Sequence, residues 1–501
     1  TSLTVLQSTA AAPVEGSTIL RVRSILEEQE ELVMISKLPK FAIKTLKPAS
    51  LNNLVDTTLT VRRQVTKALT GGGLNISIPE GETFPSFTVD DYVVQVLEEA
   101  SSNPLYPAGT ILAANTSGTG CTITGTGAGT QSLAISLTGG QDEVLKVTFT
   151  VEIAVANEKT KTLQPMNTLE VTNKSGNIFG TNATDEEISL NKADIFKVRA
   201  VYESADFSTT PVAPTCTYNN GQINTLSTEI FQPGETITGS NGAVARVIDG
   251  GQTGSTTTFS FSYLTSKTFA NGVTLTSAQN QFTNTLTVTS VTAGDSDILK
   301  NFEIDDGQRD TYYDIGRISR KPGVLVPAGR LLIVFDYFTH GAGDYFSVDS
   351  YPVGTATNSI TYDEIPTYSA TRIDPDVIAP TGQYELRDSV DFRPRVGDFD
   401  PGTAYGSAAQ TGTQLNATSK SPFQFDSRDF SLGSSSLIDM PKTDKTFLTS
   451  FDYYLPQNGA LFLDSEGEFK TVVGGAAENP EMPTPIDDAM KLASFRIPQY
   501  T

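Results

Sequence analysis

Apolar and polar residues alternate in short runs along most of this chain. Leu74-Asn75-Ile76-Ser77-Ile78 alternates strictly, and Val147, Phe149, Val151 and Ile153 recur at every second position, the period of a strand with one buried face. Comparable runs fall at 18–22, 31–38, 59–65, 92–97, 110–113, 121–125, 133–137, 143–156, 195–202, 243–248, 257–264 and 284–291, separated by turn-forming residues. The most apolar run, 330–338, is expected at the centre of a sheet. Residues 446–455 and 460–464, joined by Pro456-Gln457-Asn458-Gly459, read as a hairpin closed by Asn-Gly. Helical spacing is scarce: a short helix is expected over 488–495 with Asp487 as its cap, and the acidic run 27–31 reads as a solvated loop. The fold class predicted is mainly β: several small antiparallel β-sandwich or barrel domains with long loops and few short helices.

A chain of 501 residues is too long for one core. Changes of composition suggest an N-terminal β-sandwich region over 1–165, built as one or two units, and a central β domain from 166–228 and 298–355. A small β domain over 229–297 is inserted in it; a loop-rich stretch over 356–445 and a C-terminal hairpin with a short helix over 446–501 follow. The polar stretch 165–194 reads as looped and as a plausible boundary. Connections as long as those of 352–441 are expected to be held by another chain.

Composition then removes function classes. The 41 Gly and 26 Pro fit short strands joined by many turns. Acidic residues outnumber basic ones 57 to 35, a net charge of −22, the wrong sign for a nucleic-acid partner. No apolar run of membrane-spanning length and no charged-then-apolar leader occurs, so neither membrane insertion nor standard secretion is expected. The absence of Trp and the irregular strand spacing argue against an outer-membrane barrel. Cys121 and Cys216, far apart and without metal-type spacing, read as two unpaired thiols.

Candidate chemistry is sparse. His340 is the sole histidine, so any triad or His-ligated metal would need it; in Thr339-His340-Gly341-Ala342-Gly343-Asp344 it reads as a turn or interface residue. Acid pairs at Asp305-Asp306, Asp398 with Asp400, and Asp464 with Glu466 and Glu468 read as turn and surface acids, with calcium on the Asp398–Asp400 loop as the weaker alternative. The Gly-rich stretches at 71–73 and 118–129 lack phosphate-loop order. No catalytic, cofactor or metal residue is assigned, and no enzyme is expected. What stands out is a set of aromatic and arginine residues suited to protein interfaces: Arg309, Tyr312, Tyr313, Tyr345, Phe392, Arg393, Arg395, Tyr453 and Tyr454. A packed core with Arg–Asp pairs on its rim explains the same residues.

Several ordered segments carry a resemblance: 307–314 (GQRDTYYD), 331–351 (LLIVFDYFTHGAGDYFSVDSY), 389–396 (SVDFRPRV), 450–469 (SFDYYLPQNGALFLDSEGEF) and 487–501. They resemble a family of large virion structural proteins of T4-like myophages, especially cyanophages, which carries a domain of unknown function. The likeness covers 191–228 and 298–501, with 229–297 as an insertion. It implies a tail component, a baseplate protein or the proximal part of a fibre, assembled in the host cytoplasm. The partners implied are further copies of itself, as an obligate trimer, and other tail, baseplate or fibre proteins. The alternatives are a receptor-binding adhesin or fibre protein that recognises a host surface glycan, through an aromatic groove with acidic groups, and a glycan-degrading tail enzyme, for which no fixed-period repeat is present.

Overall fold

The computed structural model describes residues 19–27, 35–37, 50–52, 58–127, 129–219, 231–250, 257–279, 286–370, 383–399, 421–424, 428, 430, 439–442, 445–477 and 479–497. Almost all regular structure among them is antiparallel β-sheet, with a few single-turn 3-10 segments.

The strand Val144–Ile153 lies between Leu59–Ala68 and Tyr92–Glu98 in a six-stranded sheet. Val147, Phe149, Val151 and Ile153 all point into its core, as the alternation requires. Facing it, Ser132–Leu137 pairs with Gly73–Ser77 and Cys121–Thr124, and Leu74, Ile76, Ile123, Leu133 and Ile135 complete the same apolar cluster. The two sheets face each other across this cluster as a β-sandwich. Its sheet is extended by a strand from far along the chain, Met440–Pro441, which pairs with Leu59–Ala68. Arg63 holds that join through ion pairs to Glu82 and Asp439.

In the central sheet Leu331–His340 lies between Lys161–Val171 and Ile195–Glu203, the position its apolar sequence requires. A three-stranded sheet of Glu187–Ala193, Ile315–Arg320 and Phe302–Asp305 packs on it through Leu169, Ile188, Ile318, Ile333 and Phe335. The stretch 165–194, expected to be looped, therefore contains most of the strand Lys161–Val171, which runs through Pro165, and all of the strand Glu187–Ala193. Pro165 is tolerated because the ladder breaks register between Gln164 and Asn167, where Met166 has φ 53°. The displaced Met166 N–H donates to Asp336 Oδ1 at 2.7 Å, and the other oxygen of that buried carboxylate accepts from Arg199.

The inserted domain is a closed six-stranded barrel with strand order Thr215–Asn219, Thr258–Tyr263, Val244–Asp249, Thr236–Gly239, Thr274–Ser277, Leu286–Thr292. It begins earlier than residue 229. Closure leaves no open edge, and Tyr218, Phe231, Phe259, Phe261 and Phe269 fill the interior with edge-to-face and tilted ring contacts.

Two C-terminal expectations fail. Thr446–Tyr454 does not form a hairpin with the residues after it; it pairs with Ile19–Glu27 and Ser50–Asn52 from the start of the chain. Asn458 and Gly459 lie inside the strand Gln457–Asp464, which pairs with Phe469–Val473 and Ala489–Ile497. The helix expected over 488–495 is that last strand. A weak local helical preference yields to a full ladder of interstrand hydrogen bonds.

Candidate functional site

The segments 307–314, 331–351 and 389–396 converge on one buried polar cluster. Ser389–Asp391 is pinned by pairing with Ile35–Lys37, and the backbone of Tyr313 brackets the segment after it: its N–H donates to Pro394 O at 2.8 Å, and its carbonyl accepts from Val396 at 2.9 Å. Between these clamps Arg393 is fully buried. Its guanidinium forks onto Asp391, with Nε to Oδ1 at 3.0 Å and Nη2 to Oδ2 at 2.9 Å. It also donates to Arg309 O at 2.9 Å, to Gln308 Oε1 at 3.1 Å and to Tyr313 Oη at 3.1 Å, and lies over the rings of Tyr313 and Tyr368. The Tyr313 hydroxyl hydrogen-bonds Asp391 as well.

Beside it lies a second charged group. Lys161 Nζ donates to Asp194 Oδ2 at 2.7 Å, and His340 Nε2 meets the same oxygen at 2.6 Å. Four rings surround the ammonium: Tyr313 at 4.1 Å, Phe346 at 4.9 Å, Tyr351 at 5.0 Å and Phe338 at 5.4 Å. Burial pushes the Lys161 amine below the usual range, against the pull of Asp194. Burial alone would raise Asp194, but Lys161 and His340 outweigh it and hold the carboxylate ionised. Burial brings His340 down to about 3, so its ring is neutral near neutral pH. Two cations, Lys161 and Arg393, thus balance two anions, Asp194 and Asp391, and an unpaired interior charge is avoided.

The remaining sequence candidates fall around this cluster. Tyr345 and Phe392 are buried with the sandwich core, tying it to the central sheet. Arg309 bridges Asp305 at 2.7 and 2.8 Å, Arg395 pairs with Asp398 at 2.6 Å, and Tyr312 packs edge-on against Phe430. Tyr453 and Tyr454 belong to the strand Thr446–Tyr454, and their side chains lie outside the described residues. Tyr313, Tyr345, Phe392 and Arg393 are therefore engaged in this chain's own interior. His340 is a correction: it ends a strand and is enclosed, in neither a turn nor an exposed surface. The expected turn acids have partners too, Asp305 with Arg309 and Arg317, Asp398 with Lys192 and Arg395, and Asp464 with Lys470. Asp400 lies outside the described residues.

Lys161 and Asp194 escaped the sequence reading because neither sits in a motif; only pairing of their strands with Leu331–His340 brings them together. Their burial closes the cluster to any dissolved substrate.

An accessible site lies elsewhere. Where the barrel meets the central sheet, Tyr202, Ser262, Tyr263, Phe269, Asp295 and Asp297 line a cavity of about 500 Å³. Asp297 Oδ1 accepts from the N–H groups of Val201 and Leu299, and Asp295 Oδ2 from Val212, which fixes both carboxylates in the lining. Aromatic walls with oriented acidic acceptors suit a polyhydroxylated ligand. Nothing in the sequence ties Tyr202 to Tyr263.

Comparison with known proteins returned no matching family model, no matching curated protein and no matching solved structure.

Proposed function

We propose that this chain is a non-enzymatic structural component of a bacteriophage virion, in the tail baseplate or the proximal part of a tail fibre, acting through assembly with copies of itself as a trimer and with neighbouring tail proteins. The observation that carries assembly is the open face of the C-terminal sheet. The registers Leu463 opposite Phe469 and Met490, and Gly459 opposite Val473 and Phe495, place these side chains on one face. Phe469 is 69% exposed and Met490 61% exposed, and Val473 and Phe495 are also exposed, whereas Ala460 and Phe462 on the other face are buried. A contiguous apolar sheet face whose two edges pair with no other strand among the described residues is costly in water and is covered when copies associate. The segments that resemble the virion family build this sheet and the buried cluster, so the resemblance rests on what holds the chain together and on what it presents.

Light scattering on the purified chain tests this. A trimer that dissociates on Phe469→Asp with Met490→Asp is expected; a wild-type monomer at micromolar concentration refutes the self-assembly. Presence in isolated tails tests the location.

The cavity favours a second reading, a fibre protein that grips a host surface glycan. Glycan-array binding that is lost on Tyr263→Ala supports it, and no binding by the intact chain removes it.

A further inference from the structure

We propose that Lys161 and Asp194 condense spontaneously to an isopeptide bond, an internal cross-link between the strand Lys161–Val171 and the bend that leads into Ile195–Glu203, the two strands that flank Leu331–His340. Three features of the geometry meet at this pair. The amine and the carboxylate are in contact at 2.7 Å, and their side chains are 1% and 2% exposed. Both are held rigidly: Lys161 is paired with His340 across the ladder, and Asp194, with φ 57°, has its carbonyl fixed by the Phe338 N–H at 2.9 Å. Reactants held in this way need no encounter step, the condition under which intramolecular condensations gain most.

The third feature is His340, whose Nε2 lies 2.6 Å from the oxygen that has to leave. The ring of four aromatic residues keeps water out, which favours amide formation over hydrolysis, and the burial of Lys161 lowers its amine toward the neutral form that attacks.

The step balances without any co-reactant. A proton passes from the Lys161 ammonium to the Asp194 carboxylate, giving a neutral amine and a carboxylic acid. The Nζ lone pair attacks Cγ, the Cγ–Oδ2 bond breaks, and Oδ2 departs as water carrying the proton it took from Nζ and one supplied by His340. His340 Nε2–H donates to the departing oxygen and its ring recovers a proton from the nitrogen, so it is unchanged at the end. One N–C bond forms, one C–O bond breaks, nothing is oxidised, and each molecule reacts once.

The physical consequence is a covalent tie between residues 33 apart in sequence, across the middle strand of the central sheet. Cys121 and Cys216 are both free thiols, so no disulfide supplies such a tie among the described residues. A chain-entropy argument makes the closed loop stabilising, and strands tied side to side cannot be peeled apart by tension on one of them. The inference concerns this chain alone and stands or falls independently of its place in a virion.

The test is the mass of the full-length wild-type chain in denaturant. The expected result is a mass lower than that of the sequence by one water, and a protease digest containing a branched peptide that joins the segment around Lys161 to that around Asp194. A mass equal to that of the sequence overturns the proposal. A water lost within a linear peptide, the mark of a succinimide, overturns it as well. Asp194→Asn is expected to reach the same cross-linked mass by losing ammonia, and Lys161→Met to retain its full mass. In His340→Gln the unlinked form is expected to accumulate; complete cross-linking at the wild-type rate would remove His340 from the reaction. The wild-type measurement decides the central point even if a variant fails to fold.

Discussion

Replacing Asp391 by Leu removes the only carboxylate among the described residues that forks onto Arg393, while the guanidinium remains fully buried among Tyr313, Tyr368 and Gln308. Stranding one charge of such a pair costs about 3–5 kcal/mol. The Tyr313 hydroxyl loses its bond to the carboxylate at the same time. Replacing Arg393 by Met in that background removes the stranded charge and leaves mainly the Arg309 carbonyl without its donor, a cost of about 1–3 kcal/mol. The double variant should therefore be more stable than Asp391→Leu alone. With 17 Tyr and no Trp, tyrosine fluorescence reports unfolding in urea, and hydrogen exchange at 389–396 localises the loss within this multi-unit chain. If Asp391→Leu costs less than about 1 kcal/mol, or if the double variant is the worse of the two, the cluster is hydrated and the reasoning fails.

His340, the only histidine, should impose a pH dependence. Its folded value is lowered to about 3 by burial, so stability is full above the ordinary range near 6.5 and declines as pH falls toward 3, by about 1.4 kcal/mol per unit. Denaturation midpoints across that window should flatten in His340→Gln. Burial pushes the Cys121 thiol up to about 11 and the Cys216 thiol to about 12, so a thiol reagent should label neither in the native chain and both in denaturant. Asp439→Ala should release Met440–Pro441 from the sandwich edge, because Arg63 then keeps only Glu82; faster hydrogen exchange confined to 60–62 and 440–442 would show it, and unchanged exchange would refute it.

Period-2 alternation was enough to find about half of the described strands, because a half-buried strand imposes that pattern residue by residue wherever the chain lies. The buried row from Val147 to Ile153 and the central place of Leu331–His340 both follow from local composition. The mainly β class follows in the same way, from frequent turn residues and scarce helical spacing. Arg393 and Tyr313 were legible as members of a set of aromatic and arginine residues suited to interfaces. Whether they served a rim, an interface or an interior depended on which strands closed over them.

Tertiary structure alone decided the rest, because pairing partners are chosen by whole ladders rather than by adjacent residues. Asn458-Gly459 carries a strong turn signal, yet the flanking strands find better partners, Thr446–Tyr454 at the opposite end of the chain and Gln457–Asp464 in Ala489–Ile497. The meeting of Lys161, Asp194 and His340 is of the same kind. His340 stood out only as the sole histidine and Lys161 and Asp194 not at all, and their chemistry exists only where three neighbouring strands exclude water around them.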